Sequence, residues 1–522
     1  MSYFTKSNQQ NDSLFVLIQS LTKSEKRQFN LYVNRFEGNT QSKFFLLFKL
    51  LDKQKKYNEK AIINSGIVSK LQLSNLKANL YKQILISLRM NPAHKNIRVQ
   101  IREQLDFATI LYQKGLYKQS LKLLDKAKLL AIANEEKNIA YEIVELEKVI
   151  ESQYITRSIN TRANELISET KQLSYLNSIT SKLSNLSLEL YSILLKTGYV
   201  RNDKELQNIN SYFNNNLPNF DYKTLNFRER LWLYKAHLWH SLLTQNFLNA
   251  YKYSSNWVNL FREYPKMISL NPVFFLKGIN YLLESLFFIQ HKEQFNKELN
   301  YFKSIIDEKK VPINGNNEIL IFQYYYSNLL HKHFIEGTFK EGEYLIEEIL
   351  DKIKFYDTRI DKHHIIRFHY KIACLYFGME NYKLSIKHLN KIIDTKKVYV
   401  GEDLQCFARI LNLIAHYESG LDYHLEKQFK ETYKFLLKME NLQEVQKIFI
   451  QSIKSLGDLY PHQFKQEFEN IYNKLKKFEK HPYQKRAFLY LDILSWLESK
   501  ITNNSISEII KQKSINSFVK NK

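Results

Sequence analysis

The sequence predicts an all-α fold of long helices joined by short polar corners, and three observations predict it. Glycine and proline are scarce, at 12 and 7 in 522 residues, well below average usage. Strand-rich folds need many turns with positive or fixed φ, so few such turns are expected here. Apolar residues make up 44% of the chain and recur at helical spacing. Aromatic content is 14%, nearly all Tyr and Phe, and such rings make large, low-entropy spacers between packed helices.

The first block spans residues 1–98. Leu14, Leu17, Ile18 and Leu21 fall on one helical face, and Thr22 with Glu25 forms the Thr-x-x-Glu pattern of a capping box. The next helix carries Phe29, Tyr32, Val33 and Phe36 and breaks at Gly38-Asn39. Phe44, Phe45, Leu47, Phe48 and Leu51 make a third, and Ala61, Ile62 and Ile63 a short fourth. A fifth is expected from about Ser74 to Arg89, stopped by Pro92. Leu76, Leu80, Ile84 and Leu88 line its apolar face, while Lys77, Asn79 and Lys82 point elsewhere.

Charge sets this block apart. Half of the net charge of +24 lies in the first hundred residues, with 17 Lys and Arg against 5 Asp and Glu; the second hundred holds 13 against 12. A basic helical module attracts nucleic acid, acidic protein or anionic lipid. It loosely resembles a winged or plain helix-turn-helix, a likeness that would put the 74–89 helix on DNA or RNA with Lys77 and Lys82 on phosphates. The other expectation is a cap on a repeat array, because an end repeat otherwise exposes its core face. The cap is favoured, since the helix lacks the Arg- and Gln-rich exposed side of base readers.

Residues 99–500 carry a recurring pattern. It is clearest in Ala108, Leu111, Gly115, Tyr117, Ser120, Leu124 and Ala127. Small Ala108 and Ser120 let two helices cross closely, Gly115 leaves the first, Tyr117 packs across the corner, and Leu124 and Ala127 face the next pair. The spacing returns as Ala373, Tyr376, Tyr382, Ser385, Leu389 and Ile392, with Glu380 in place of the glycine, and as Leu330, Gly337, Phe339, Gly342, Ile346 and Ile349. Looser copies are Leu238, Phe247, Ala250 and Trp257; Leu286, Ile289, Phe295, Phe302 and Ile305; Tyr191, Leu194, Gly198 and Val200; and Ile414, Tyr417 and Tyr423.

On these residues the region resembles the tetratricopeptide repeat (TPR) family. It departs from that family in two ways. Copies starting at 238, 286, 330, 373 and 414 step by 48, 44, 43 and 41 residues, against ~34 in the family. The proline that commonly ends the unit is mostly missing, with only Pro265 near such a place. The expectation is therefore an irregular TPR-like α-solenoid of stacked helical hairpins. The chain is also similar to helical-repeat proteins of Bacteroidota-type, AT-rich genomes, a likeness that brings no activity with it. The TPR resemblance implies a groove along the first helices of the hairpins that holds a peptide or another protein. Gln104, Tyr234, His237, Tyr326 and His369 stand on those helices as candidate contacts. Leu489, Leu491, Ile493, Leu494, Trp496 and Leu497 make a closing apolar helix, and 501–522 form a polar basic tail, either a loose last helix or a frayed end.

Residues that could carry chemistry read as structural. His237/His240, His331/His333 and His363/His364/His369 have no convergent third or fourth ligand in sequence, which a zinc site needs. No phosphate-binding glycine loop, dinucleotide fingerprint or nucleophile elbow occurs. Glu135-Glu136 and Glu347-Glu348 read as solvated helix faces, and the aromatic run Phe322–Tyr326 and the pair Trp232/Trp239 as core. Cys374 and Cys406 read as reduced thiols. The N-terminus lacks an apolar segment of signal-peptide length, and no window approaches ~18 uninterrupted apolar residues. A cytoplasmic, non-enzymatic scaffold or adaptor without cofactor or metal follows, binding a protein or peptide. The alternative is a regulator whose basic N-terminal module contacts DNA or RNA.

Overall fold

A computed structural model of the chain describes residues 12–35, 42–90, 96–153, 161–356, 359–395, 402–420, 422–437, 444–456, 463–485, 488 and 492–520. Phe36, Gly38, Asn39, Pro92, Leu489 and Leu491 lie outside them. Every regular element among the described residues is helical, and none of those helices is long and apolar enough to cross a membrane. The chain divides into two compact units, 1–174 and 175–522, with the division inside helix α9 (Arg162–Thr197).

In the first unit, α1 (Ser13–Ser20), α2 (Lys23–Asn34), α3 (Lys43–Lys53), α4 (Glu59–Asn64) and α5 (Lys70–Met90) close around one core. Fully buried Phe29 anchors it, its ring 4.7 Å from Phe48 and 6.4 Å from Phe45. The capping box forms: the Glu25 amide donates to Thr22 Oγ1 at 3.2 Å, and the Thr22 amide to Glu25 Oε2 at 2.6 Å. Helix α5 begins at Lys70, earlier than its apolar stripe suggests, because buried Leu73 ties down the first turn. Helices α6 (Ile97–Gln113), α7 (Tyr117–Ala133), α8 (Lys137–Gln153) and the start of α9 form a second core. Beside it the Lys128 ammonium lies 2.8 Å from both Glu147 and Glu169, and Arg162 lies 3.3 Å from Glu147.

The second unit continues α9 through α10 (Asp203–Asn216) into a run of paired helices. These are α11 (Phe227–Leu243) with α12 (Phe247–Glu263), and α14 (Pro272–Phe288) with α15 (Lys292–Asp307), after a short α13 (Lys266–Leu270). Next, α16 (Gly315–Ile321) passes through one π-helical turn (Phe322–Tyr326) into α17 (Ser327–Glu336), and α18 (Tyr344–Tyr356) follows, packed against the π turn and the next helix. Then come α19 (Lys362–Gly378) with α20 (Tyr382–Ile393), and α21 (Glu402–Glu418) with α22 (Asp422–Leu437). Among the described residues the closing helices are α23 (Glu444–Leu456), α24 (Phe464–Lys476), α25 (Ile493–Thr502) and α26 (Ile506–Lys520).

The corners repeat one backbone device. The residue leaving the first helix takes the left-handed conformation: Gly115 (φ 75°), Gln245 (57°), Gln290 (55°) and Glu380 (62°). The following amide then bonds back to the carbonyl five residues earlier, Leu116 to Leu111, Asn246 to Ser241, His291 to Leu286 and Asn381 to Tyr376, at 2.8–3.0 Å. This Schellman arrangement satisfies carbonyls that a helix end would otherwise leave unpaired. Glu135, Lys309 and Asn503 also take positive φ. The expectation that few turns need positive φ is thus corrected. The chain uses non-glycine residues there, accepting about 1 kcal/mol each, offset by the corner hydrogen bonds. Glu135 and Glu136 belong to such a corner and not to a solvated helix face: Glu136 is buried, 3.3 Å from Arg98, and Glu135 lies 2.8 Å from Lys137.

The closing helices pack back onto the paired ones. Trp496 Nε1 donates to Glu418 Oε1 at 2.6 Å, and Ser507 Oγ to the Gly337 carbonyl at 2.6 Å. Gln245 Nε2 donates to the carbonyls of Val200 and Tyr483 at 2.8 and 3.2 Å. Residues 506–520 are helical, with Ile506 and Ile509 buried.

Candidate functional site

The seven side chains singled out in the sequence fall in different surroundings. Lys82 is exposed on α5. Lys77, five residues before it, is turned inward with 17% of its side chain exposed; its ammonium lies 2.9 Å from Asp12 Oδ2, bonds the Tyr57 hydroxyl and sits over the Tyr57 ring. Burial opposes its charge, but bonds to Tyr57 and Asp12 outweigh burial and raise its pKa. Gln104 is half-buried on α6.

Tyr234 is buried on α11, its hydroxyl 2.6 Å from that of Tyr222. His237 stacks on Tyr253 at 4.3 Å, and burial, with His240 and Lys252 nearby, pushes its pKa down to about 4. Tyr326 closes the π turn and donates to Glu348. His369 on α19 meets His388 on α20, Nδ1 to Nδ1 at 3.0 Å. One ring donates and the other accepts, so at most one of the two can carry a full set of protons. Burial first, then Lys391, holds both down to about 4.

None of these seven lines a cavity of about 1280 Å³ that lies in the second unit. Its walls come from α14, α17, α19 and α21, from the α11–α12 corner, and from the closing segments after Lys476. Phe287, Phe334, Phe339, Phe377, Ile506 and Ile510 make it largely apolar. Gln245 also lines it; among the described residues its buried Oε1 has no hydrogen-bond partner.

One wall is polar. Glu284 (α14), Arg367 and Lys371 (both α19) line the cavity and also a small niche of about 40 Å³ behind it, completed by Asn280, Gln323, Tyr324, Ser327, His364 and Phe368. The niche has room for about one water. The π turn helps shape it, since Gln323 and Tyr324 belong to that turn. Arg367 lies 3.7 Å from Glu284 Oε1. Lys371 is 9% exposed and donates to Ser327 Oγ; among the described residues no carboxylate pairs with it.

Burial, reinforced by the Arg367 charge and resisted by Glu284, pushes the Lys371 pKa down to about 7. His331, stacked on Phe287 at 4.3 Å, is held well below its usual pKa by burial and then by Lys371 and Arg367. Burial pushes the Cys374 thiol up to about 12, leaving it an inert neutral group. Among the described residues a protonated Lys371 has no carboxylate partner in this wall.

The sequence carries a signal for this wall that belongs to no motif. Glu284 interrupts the apolar run Ile279–Phe288, and Lys371 the run Tyr370–Phe377. A lone charge inside an apolar helix must find a partner, a cavity or a shifted pKa. Among the described residues no three His, Cys, Asp or Glu side chains gather to hold a metal ion. No family model matches the chain, and no curated protein does.

Proposed function

We propose that the chain is a cytoplasmic, non-enzymatic scaffold that holds a protein or peptide partner on TPR-like hairpins. The repeated hairpin carries this reading. At both of the clearest copies of the sequence pattern a fully buried serine of the second helix bonds a carbonyl of the first, and the corner between them takes the same left-handed turn. Stacks of such units serve as binding surfaces because each buries one face on its neighbours and leaves another free.

The first unit leaves large apolar side chains of two such helices in water. Helix α6 exposes Phe107 and Ile110 one turn apart, with Gln104 one turn ahead, and α7 exposes Leu129 and Ile132. Large apolar side chains left in water in this density mark interaction surfaces. The test is native affinity purification of the full chain, followed by the double variant Phe107→Asp/Leu129→Asp. A stoichiometric partner should co-purify with the wild type, and the variant should lose it by ~30-fold in affinity with unchanged helical circular dichroism. No stoichiometric partner, or equal binding by the variant, contradicts the scaffold.

The second reading rests on the charge of the first hundred residues. Lys70 and Lys82 are exposed on α5, whereas Lys77 is already matched by Asp12. A nucleic-acid contact there predicts that affinity of the full chain for duplex DNA or structured RNA falls linearly with salt on logarithmic axes. Absence of binding near ~50 mM salt removes this reading.

A further inference from the structure

We propose that the second unit's cavity is a binding site for a small amphipathic anion, a long-chain carboxylate, whose head meets Lys371 and Arg367 and whose hydrocarbon chain fills the apolar chamber. The inference is independent of the scaffold reading, which uses another surface of the first unit.

Three observations carry it. The first is size and lining. Pockets for drug-sized ligands run to ~300–1,000 Å³. A chamber of about 1280 Å³ faced by Phe287, Phe334, Phe339, Phe377, Ile506 and Ile510 suits a flexible hydrocarbon better than a compact polar molecule. The second is charge. The polar wall holds Lys371 beside Arg367 and Glu284, and among the described residues Lys371 bonds Ser327 and has no carboxylate partner. A buried ammonium without a counter-ion is costly, and a ligand bringing one negative charge balances the wall. The third is the polar niche behind Glu284, Arg367 and Lys371, with room for a water that would hydrate the head group from the far side.

The competing charges favour one anion. Lys292, Lys480 and Lys485 also line the cavity, against the further carboxylate of Asp492. Lys476 and Lys513 are matched by Glu479 and Glu498 at 3.0 and 2.8 Å. An alkyl ammonium would meet this excess of positive charge and should be rejected.

The test is isothermal titration of the full chain at pH 6.5, where Lys371 is mostly protonated, with dodecanoate, dodecanol, dodecylamine and dodecyl phosphate below their aggregation concentrations. Dodecanoate should bind one equivalent, and dodecanol at least ~10-fold more weakly, as expected for loss of a charge-assisted hydrogen bond. Lys371→Met keeps the side-chain volume and removes the charge. It should weaken dodecanoate ~10- to 100-fold while leaving dodecanol unchanged, a split that unfolding could not produce. Arg367→Gln should act in the same sense, and Lys82→Met should change nothing. The proposal is overturned if dodecanoate does not saturate at one equivalent, if dodecanol or dodecylamine binds as tightly, or if Lys371→Met binds like wild type. Tighter binding of dodecyl phosphate than of dodecanoate overturns the carboxylate assignment.

Discussion

The Ser385 hydroxyl donates to the Ala373 carbonyl at 2.9 Å, repeating the bond from Ser120 to Ala108 at 2.7 Å in the other unit. In each pair the two residues are twelve apart, both are fully buried, and the hydroxyl of a second helix reaches the backbone of the first. The serine is needed for its size and for its proton together. Ser385→Ala should therefore lose about 1 kcal/mol of stability, and Ser385→Leu ~1–3 kcal/mol through overpacking. Urea unfolding of both variants checks the ordering; equal stability of Ser385→Leu and wild type would show that the helices do not approach as described.

Helix α14 approaches α12 at Gly278. A Cβ built there would lie 2.8 Å from the Trp257 indole nitrogen, and that ring is fully buried with no room to move. Alanine normally stabilises a helix interior relative to glycine by ~1 kcal/mol. Here the sign should reverse, with Gly278→Ala destabilising by ~1–3 kcal/mol, measured by thermal or urea unfolding.

At the α19–α20 corner the opposite holds. Glu380 has φ 62°, a conformation that glycine adopts without strain. Glu380→Gly should stabilise the fold by roughly 1 kcal/mol, partly reduced by the greater freedom of the unfolded chain. A drop in unfolding midpoint would mean that the Glu380 side chain holds the corner more firmly than its backbone strains it.

Lys371 links stability to pH. Its pKa, about 7 in the fold, is ~10.4 in an unfolded chain. Between these values the unfolded chain binds the extra proton, so stability rises with pH from about 7 upward and is lost as pH falls back. Lys371→Met removes that slope and should raise the unfolding midpoint at neutral pH, because it removes a buried charge without a counter-ion. Urea midpoints of wild type and variant between pH 7 and 9 check both statements.

The buried histidines act in a lower window. His237, His369 and His388 are held at about 4 against ~6.5 unfolded. Their contribution is complete above pH 6.5 and is lost as pH falls from 6.5 toward 4, because the unfolded chain takes up protons that the fold excludes. Acid titration of the unfolding midpoint should show this loss, and His237→Phe, which keeps a ring against Tyr253, should flatten it.

How far the sequence reveals this molecule follows from what each feature depends on. Helical periodicity marks the core faces: Ala108, Ser120, Leu124, Ala373, Ser385 and Leu389 of the clearest pattern copies are fully buried, while Leu111, Tyr117, Tyr376 and Tyr382 are half-buried. That pattern is local, so it can be read along the chain. The corners were harder, because left-handed Gln245, Gln290 and Glu380 carry no glycine signal and are held by backbone bonds that any residue can make. The cavity wall was hardest. Glu284, Ser327 and Lys371 come from three helices, and only their packing brings them together, although each charge stood out within its own apolar run.

The scaffold is tested most directly by amide hydrogen exchange of the full chain with and without its co-purified partner. Partner binding should slow exchange in α6 and α7, around Phe107, Ile110, Leu129 and Ile132. Unchanged exchange across both helices with the partner bound, or protection confined to residues 13–90, would contradict it.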